Sequence, residues 1–479
     1  MTDIKAAKDQ PLGIAQDMAE AYTVKVNLSE HELELEQALK NYVPDSAAER
    51  ALVRKLDMYM GPTLWFMYIL AYIDRQNIGN AKVAGMEADL NLTDDQYAML
   101  LSIFFIGYLA CEVPSNMILT RSQPSWYLPG IMIIWGSICA VMSVVKNYHG
   151  MLALRFFLGC IEAGFSPGVL YVMTCWYKKE EIGKRFSIFY TASLCSGAVS
   201  GLLAGAITGN MEGVRGIRGW RWLYLIEGVC TVLFAVGLKF ILVDFPETTR
   251  RLSLEERQLA VVRMMHDRNT TAAGHGRRLT HWQSPKAALA DSRTYVFAVL
   301  FTMDLGSCTI SYFIHAIVRQ MGYASTAAQY MTMPIWTVGA AFLVAPSYTA
   351  DRTGDRRWHV TGVAWGSVSS ARWSARRRRT RGVVYAMLCF YVAGLYTALP
   401  LMLNWASEVV ALPAEKRAVV VALVNSVGNL SAVYGSRLWP SSDGPRFVKG
   451  FATTGGLYRV RDASGRGHSG HLFVSAQRG

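Results

Sequence analysis

Two stretches of the sequence, DRQNIGN at residues 74–80 and RFFLGCIE at residues 155–162, carry charged residues inside apolar runs. The first run begins near Met58, and the second ends at Tyr177. A charged side chain at the centre of a membrane helix costs about 2.5–3.5 kcal/mol even on lenient insertion scales, so it usually faces a protein interior or a watery cavity. The two stretches therefore predict a membrane protein with a path for an ion or a polar substrate.

The composition of the 479-residue chain agrees with a membrane protein that also has sizeable polar parts. Hydrophobic residues make up 52% and charged residues only 17%. The net charge of +13 could indicate nucleic-acid binding, but the basic residues lie mainly in two late stretches and in short loops between apolar runs. Short cytoplasmic loops are the usual place for such residues, so we expect lipid and not nucleic acid as the partner. The eight cysteines form no CxxC pair, and we predict no metal, cofactor or disulfide.

Ten apolar runs have about 20 residues each, the length that a helix needs to cross a bilayer. They lie near residues 58–77, 97–120, 128–145, 150–175, 186–209, 220–242, 295–317, 327–349, 382–404 and 417–436. The loops after the second and fourth runs are basic, and the loop after the first is acidic. Cytoplasmic loops are enriched in Lys and Arg, so we expect the amino terminus inside, although Arg215, Arg218 and Arg221 oppose this orientation.

The order of the runs divides the chain into parts. Residues 1–50 are polar and predict a cytosolic tail without a cleavable signal peptide. Residues 51–243 hold six runs and form the first half, and residues 293–454 hold the second half. The polar segment between them, 244–292, predicts a cytoplasmic linker, in which a capping box at Ser253-Leu-Glu-Glu256 starts a short helix through Met265.

Several motifs resemble a known family. The signature DRTGDRR lies at residues 351–357, after the eighth run. Longer motifs are DRQNIGNA (74–81), GYLACEVPSN (107–116), RFFLGCIEAGFSPG (155–168), GWRWLYLIEG (219–228), MGYAS (321–325) and NSVGNLSAVYGSRLWPSSDGPR (425–446). Together they resemble the fungal allantoate permease branch of the anion:cation symporter family, within the major facilitator superfamily.

This resemblance implies an all-helical major facilitator fold with two six-helix halves and substrate held between them. It also implies a symporter at the plasma membrane that works by alternating access. Such a carrier imports a small organic anion with protons, for example allantoate, nicotinate, pantothenate or a similar carboxylate. The motif R-x-N-x-G, which also occurs in animal vesicular glutamate and sialate transporters, matches Arg75, Asn77 and Gly79 and assigns Arg75 and Asn77 to substrate binding.

Arg155 and Glu162 are suited to binding and coupling. They are seven residues apart, about two helical turns or ~10.5 Å along one face, and we expect both to face the cavity. The planar guanidinium of Arg155 fits a carboxylate in two places, which suits substrate binding. Glu162 can take up a proton in a dry surrounding, which suits coupling. The alternative is that each pairs with a neighbouring helix and only stiffens the bundle.

Further polar residues in the runs are weaker candidates. Glu112 and Asp304 are candidates for proton coupling, with pairing between helices as the alternative. Asn425 and Asn429 lie four residues apart, so both could face the cavity and bind substrate, or both could pack between helices. Arg75 could alternatively extend to lipid headgroups. Two more polar residues of the apolar runs, Asp74 and His315, are expected to be structural.

Glycines recur every fourth residue in the fifth run, at positions 197, 201, 205 and 209. A face of small residues lets two helix backbones approach closely. We expect this face to lie against the eighth helix, at the contact between the halves.

Two stretches depart from the family pattern. Where a ninth span should follow Trp358, the sequence instead places Arg372 and four further arginines at 376–379. From Gly455 onward an Arg-, Ser- and Gly-rich tail replaces a twelfth span. A frame or splice error in the coding sequence would explain both, and a lineage-specific loop is the alternative. Such a cluster resists insertion, so the tenth span is expected to invert or to stay out of the membrane.

Other classes of function remain open at this point. A membrane enzyme would need a nucleophile or metal cluster within the spans, and the sequence offers none, so we do not expect an enzyme. A transporter-like nutrient sensor would bind ligand without net flux. A non-functional product of a damaged gene is the remaining alternative.

Overall fold

The computed structural model describes residues 37–119, 121–273, 283–353, 358–363, 381–410, 414–443 and 447–454, together with residues 35 and 366. Helices and short turns account for their regular structure, and no strand occurs among these residues. The all-helical prediction is confirmed. The arginine-rich stretch at 367–380 and the tail at 455–479 lie outside this description.

The first half of the molecule begins at Ala47, where the Ser46 side chain accepts a hydrogen bond from the backbone N–H of Glu49 at 3.2 Å. The helix therefore starts before the predicted boundary at residue 51. The chain then reverses direction repeatedly, as expected for successive spans. The helices are α1 (Ala47–Ala81), α2 (Asp94–Leu119), α3 (Pro124–Met142), α4 (Tyr148–Glu162), α5 (Phe165–Trp176), α6 (Lys179–Asn210) and α7 (Gly219–Leu238). The fourth predicted run is thus two helices in one line, α4 and α5.

The linker and the second half follow. The predicted capping box is present, because the Ser253 backbone N–H bonds the Glu256 carboxylate at 2.9 Å and the Glu256 N–H bonds the Ser253 hydroxyl at 3.2 Å. The linker helices are α8 (Leu254–Ala273), which is longer than predicted, and α9 (Gln283–Ala290). The second half has α10 (Ser292–Cys308), α11 (Ile314–Gln320), α12 (Ser325–Tyr330), α13 (Thr332–Thr353), α14 (Arg381–Val409), α15 (Ala414–Asn429) and α16 (Ser431–Gly435).

Seven of the helices within the described ranges are long and apolar enough to cross a membrane. They correspond to seven of the ten predicted spans. Three other predicted spans are also helical, but they are not both long and apolar enough to be counted as membrane-crossing. They are the runs at 58–77, 327–349 and 417–436. Polar residues such as Asp74 and Arg75 lower the mean hydropathy of α1, and a break at Leu430 divides the last run. These helices are held by protein contacts as well as by lipid.

The two halves meet along a seam that we define as the contacts of α6 with α12 and α13 and of α2 with α16. The predicted glycine face forms the first part of this seam. A Cβ atom at Gly201 would lie 2.9 Å from the Gln329 carbonyl oxygen, and one at Gly205 would lie 2.6 Å from the Tyr330 ring. The expected contact between the fifth run and the eighth is therefore confirmed, and only glycine permits so close an approach.

The seam is closed at the helix ends that are expected to face outside. The Gln329 side chain donates to the Asn80 carbonyl oxygen at 3.1 Å, and the Arg319 guanidinium donates to the Val83 carbonyl oxygen at 2.9 Å. Nearby, the Tyr97 hydroxyl donates to the backbone oxygen of Tyr312 at 3.3 Å. These bonds join the halves across what we call the outer end.

The predicted tenth span, helix α14, is part of the helix bundle. Helix α14 begins at Arg381, whose guanidinium lies about 3 Å from the Cβ position of Gly322, between α11 and α12 at the outer end. The helix packs against α10 and α13. The apolar face of α14 is therefore buried by its neighbours within the bundle. The effect of the arginine cluster on insertion of this helix into a membrane stays a prediction.

A buried arginine fastens linker helix α8 to the first half. Arg263 is fully buried and donates to Glu49 at 3.0 Å, to Glu181 at 2.7 Å and to the Trp176 carbonyl oxygen at 3.1 Å. Lys178 also pairs with Glu49 at 2.6 Å. Burial opposes ionisation of Glu49, but the bonds from Lys178 and its neighbours prevail and lower the pKa of Glu49 to about 2. These bonds therefore join the linker helix to the first half.

Candidate functional site

A cavity lies between the two halves and has walls from both. The first half supplies residues of α1, α2 and α6, and the second half supplies residues of α10, of the turn that follows it, and of α14, α15 and α16. Aromatic rings, hydroxyls and one cation form most of the wall. The lining residues are Tyr72, Arg75, Gln76, Phe105, Tyr190, Leu305, Cys308, Thr309, Ser311, Tyr312, Tyr396, Leu399, Asn429 and Ala432. A polar cavity shared by two halves can hold a small polar solute.

Arg75 is the cation of this wall, and its partner is Glu162. The Arg75 Nε donates to Glu162 Oε1 at 3.0 Å, and Nη2 donates to the same oxygen. The Glu162 side chain is 1% exposed, whereas that of Arg75 is 12% exposed and reaches the cavity. The second carboxylate oxygen of Glu162 is buried and has no hydrogen-bond partner among the described residues. The pair thus places an acid directly behind the cation that a solute meets.

Aromatic rings surround the Arg75 guanidinium. Its Cζ lies 5.1 Å from the ring centre of Tyr72 and 5.3 Å from those of Phe104 and Tyr108. Rings at this distance attract a cation and exclude water. The cage explains why Arg75 points into the protein and not toward lipid headgroups.

Arg155 lies in the same region but not in the cavity wall. It is 1% exposed, and its Cζ lies 5.9 Å from the Phe104 ring. Its Nε and Nη2 atoms are buried without hydrogen-bond partners in the part of the chain described. Helix α4 presses onto α2 at Gly159, where a Cβ atom would lie 3.1 Å from the Tyr108 amide nitrogen. This contact turns Arg155 and Glu162 toward the interior of the first half, so the expected cavity-facing stripe is not observed.

Asn77 also lies away from the cavity. Its side-chain amide donates to the Glu227 carboxylate on α7, and the side chain is fully buried. Asn80, one turn further on, donates to the Ser200 hydroxyl at 2.7 Å. The sequence reasoning did not single out Glu227. The same signal that marked Glu162, an acid inside an apolar run, would have found it.

The remaining candidates are dispersed. Asn429 lines the cavity, whereas Asn425 is half-buried outside its wall. Asp304 is buried on α10, one turn before the cavity residue Cys308. Glu112 is half-buried on α2. The structure therefore brings Arg75, with its partner Glu162, and Asn429 to the cavity, whereas Asn425, Asp304 and Glu112 are not among its lining residues.

The two residues expected to be structural have surroundings that fit this role. Asp74 accepts hydrogen bonds from the Trp135 indole at 3.2 Å and from the Thr231 hydroxyl at 3.1 Å, so it joins α1 to α3 and α7. His315 is fully buried beside Gly79. Among the described residues, no group of three His, Cys, Asp or Glu side chains could hold a metal ion.

A bundle of membrane-spanning helices with a polar cavity between its halves defines a membrane transporter. The family model described as Major Facilitator Superfamily matches residues 64–436. The chain belongs to the major facilitator superfamily, and it is a multi-pass membrane protein.

Curated relatives match most of the chain. MFS-type transporter cnsO of Penicillium expansum is 32% identical over 455 residues, covering 91% of this chain and 85% of the relative. A putative tartrate transporter of Agrobacterium vitis is 30% identical over 431 residues, covering 89% of this chain and 90% of the relative.

Solved structures are similar in fold. A bacterial homolog of the human lysosomal transporter Spinster, in an inward-facing and occupied conformation, aligns with a TM-score of 0.65 at 13% identity. The alignment covers 85% of this chain and 97% of that one. A D-xylose-proton symporter aligns with a TM-score of 0.63 at 15% identity, covering 84% and 95% of the two chains. These likenesses establish the fold alone.

Proposed function

We propose that the protein is a proton-coupled symporter that imports a small organic anion by alternating access. The observation that carries this proposal is the ion pair between Arg75, on the cavity wall, and the buried Glu162. Arginine keeps its charge at any accessible pH, whereas a glutamate can take up a proton. The pair thus combines an anion-binding group with a proton-binding group.

The coupling follows from competition for Arg75. While Glu162 is ionised, it neutralises the guanidinium and weakens the attraction of Arg75 for a substrate carboxylate. When Glu162 takes up a proton, Arg75 becomes available to the substrate. Linkage requires the reverse as well, so a bound carboxylate on Arg75 favours the protonated form of Glu162 by the same free energy. Proton and anion therefore bind together.

The seam supports the movement that such a carrier requires. The glycine face of α6 lets it slide against α12 and α13, since no side chains of its own interlock there. The hydrogen bonds at the outer end, such as Gln329 to Asn80, are few enough to break and re-form in each cycle. In the described state the outer end is closed, which corresponds to release of substrate toward the cytosol.

Substrate class is inferred from the site and from the relatives. A cation with aromatic neighbours and the hydroxyls of Ser311 and Tyr312 suits a small carboxylate with further polar groups. The name of one relative, a putative tartrate transporter, also points to an organic acid. The family resemblance suggests allantoate, nicotinate, pantothenate or a similar acid, and import at the plasma membrane.

The test is uptake by the purified 479-residue chain in proteoliposomes, with labelled tartrate, allantoate, nicotinate and pantothenate as probes. We expect one of them to accumulate when the outside is acidic, and a protonophore to abolish the accumulation. Arg75→Gln should remove uptake, whereas Lys146→Gln, in a loop, serves as the matched control. Folded protein that takes up none of a broad panel of organic acids would contradict the proposal, and binding without uptake would favour a sensor.

A further inference from the structure

Glu227 is a further buried carboxylate of the first half, separate from the Arg75–Glu162 pair. It lies on α7, eight residues after Gly219, which places it about 12 Å below the outer end of that helix. The residue is 5% exposed. One carboxylate oxygen accepts the amide of Asn77, and the other, Oε1, is buried without a hydrogen-bond partner in the described chain.

The surroundings of Glu227 provide no compensating cation. Within the described ranges, no Lys, Arg or His nitrogen lies within 4.0 Å of its carboxylate, whereas Glu162 has Arg75. An ionised carboxylate in such a place lacks both water and a counter-charge, which is among the least favourable environments for a charge. Burial without a counter-charge therefore favours the neutral carboxylic acid over the carboxylate at this position.

The charged and titratable groups around Glu227 reinforce this conclusion. Helix α6 contributes a hydroxyl, that of Ser200, through Asn80. The titratable neighbours are Asp74 on α1, Cys139 on α3, and Tyr224 and Cys230 on α7. The nearest acid, Asp74, would repel a negative charge on Glu227.

The hydrogen bonds of Glu227 lead directly to the seam. Its partner Asn77 also accepts a weak bond from Asn80 at 3.5 Å. The backbone oxygen of Asn80 accepts the amide of Gln329 from the second half, and Gln329 is fully buried in the closed state. Opening of the outer end must break this last bond. It would then admit water to the Asn77–Asn80 turn and, behind it, to Glu227.

We propose that Glu227 is a proton-binding site that gates closure of the outer end. In the open state Glu227 meets outside water and can ionise. The outer end closes only after Glu227 takes a proton from that water, because closure removes the water and leaves no cation to replace it. This gate acts in addition to the coupling between Arg75 and Glu162. Of the two tests that follow, only the second depends on the proposed transport function.

The first test detects the proton itself and needs no substrate. Infrared difference spectra of the purified full chain in lipid nanodiscs are recorded at neutral pH for wild type and Glu227→Gln. We expect a carbonyl-stretch band of a protonated carboxylic acid that disappears in Glu227→Gln and persists in Glu162→Gln. If Glu227→Gln is poorly folded, Asn77→Ser gives the same information, because loss of the amide donor should shift the band. Spectra without such a band, or a band insensitive to both variants, would overturn the proposal.

The second test separates the gate from the coupling site. Exchange of a preloaded organic acid is measured in proteoliposomes while the external pH is raised. The measurement uses the Glu162→Gln background, in which competition for Arg75 no longer depends on pH. In this background the exchange rate should fall by about tenfold per pH unit once Glu227 ionises in the open state. Adding Glu227→Gln, which is permanently neutral, should give a constant rate, whereas adding Glu227→Asp should retain the decline. A decline that persists unchanged when Glu227→Gln is added would refute the gate.

Failure of this proposal can be distinguished from failure of the proposed function. If no acid is exchanged by any variant, the symporter proposal fails while the infrared test of Glu227 still decides the proton site. If exchange occurs and only Glu162→Gln alters its pH dependence, transport stands and the gate is rejected.

Discussion

Replacement of Glu162 by glutamine is the sharpest perturbation of the cavity site. The amide keeps the size of the side chain and can still accept a hydrogen bond from Arg75, but it can neither ionise nor carry a proton. In wild type the Arg75 Nε lies 3.0 Å from Glu162 Oε1, and the acid is almost fully buried. At an effective dielectric constant of about 20, unit charges roughly 4 Å apart attract by about 4 kcal/mol. The variant removes this attraction.

The expected result is a loss of pH dependence in substrate binding. At alkaline pH, ionised Glu162 competes with a substrate carboxylate for Arg75, so wild type binds weakly. Glu162→Gln should bind the same acid tighter by roughly 10-fold to 1,000-fold, the upper figure corresponding to the full 4 kcal/mol. At acidic pH wild-type Glu162 is protonated and the two affinities should converge. In transport, the variant should exchange substrate yet fail to accumulate it against a gradient.

The assay is binding of labelled tartrate, nicotinate and pantothenate to the purified chain between pH 5 and pH 9. Glu112→Gln is the matched control, because Glu112 lies half-buried on α2 without forming the Arg75 pair. The affinity of the Glu112→Gln variant for these acids should vary with pH as it does in wild type. Equal pH dependence of binding in wild type and Glu162→Gln would refute the competition mechanism. Loss of the pH dependence in Glu112→Gln would assign the coupling role to Glu112.

Four further outcomes are expected. Gly201→Leu should abolish transport without unfolding the protein, because its side chain would meet the Gln329 carbonyl, whereas Gly237→Leu, with no atom within 4 Å, should transport normally. Arg75→Lys should weaken binding of the same acids by about tenfold or more, since a point charge does not reproduce the planar fork. Glu49→Gln should lower the thermal unfolding midpoint by an amount that is constant from pH 8 to pH 5. The pKa of Glu49 is depressed from 4.5 to about 2, so its contribution is complete above 4.5 and is lost only below it. A glycosylation acceptor inserted at 213–216 should be modified in cells and one at 248–250 should not, and the reverse pattern would overturn the inside amino terminus.

Much of the fold could be predicted because the signals are local. A membrane helix must form its backbone hydrogen bonds within its own segment. An apolar run of sufficient length therefore identifies such a helix without knowledge of its neighbours. The capping box at Ser253 and the glycine face around Gly201 were predicted for the same reason, since each depends on the spacing of residues along one helix. The packing of α14 was not predictable in this way, because its contacts with α10 and α13 join segments that are distant in the sequence.

The candidate site shows the boundary between sequence and tertiary structure most clearly. The sequence by itself determined that Arg75, Arg155 and Glu162 lie within membrane helices, because lipid makes charged residues conspicuous there. It also determined that Arg155 and Glu162 share one face of their helix. Only the tertiary structure decided that Glu162 pairs with Arg75, that Arg155 is buried behind Phe104, and that Asn77 binds Glu227. The spacing of residues fixes their angle around one helix axis, but the neighbour they meet depends on where adjacent helices approach, as α2 and α4 do at Gly159.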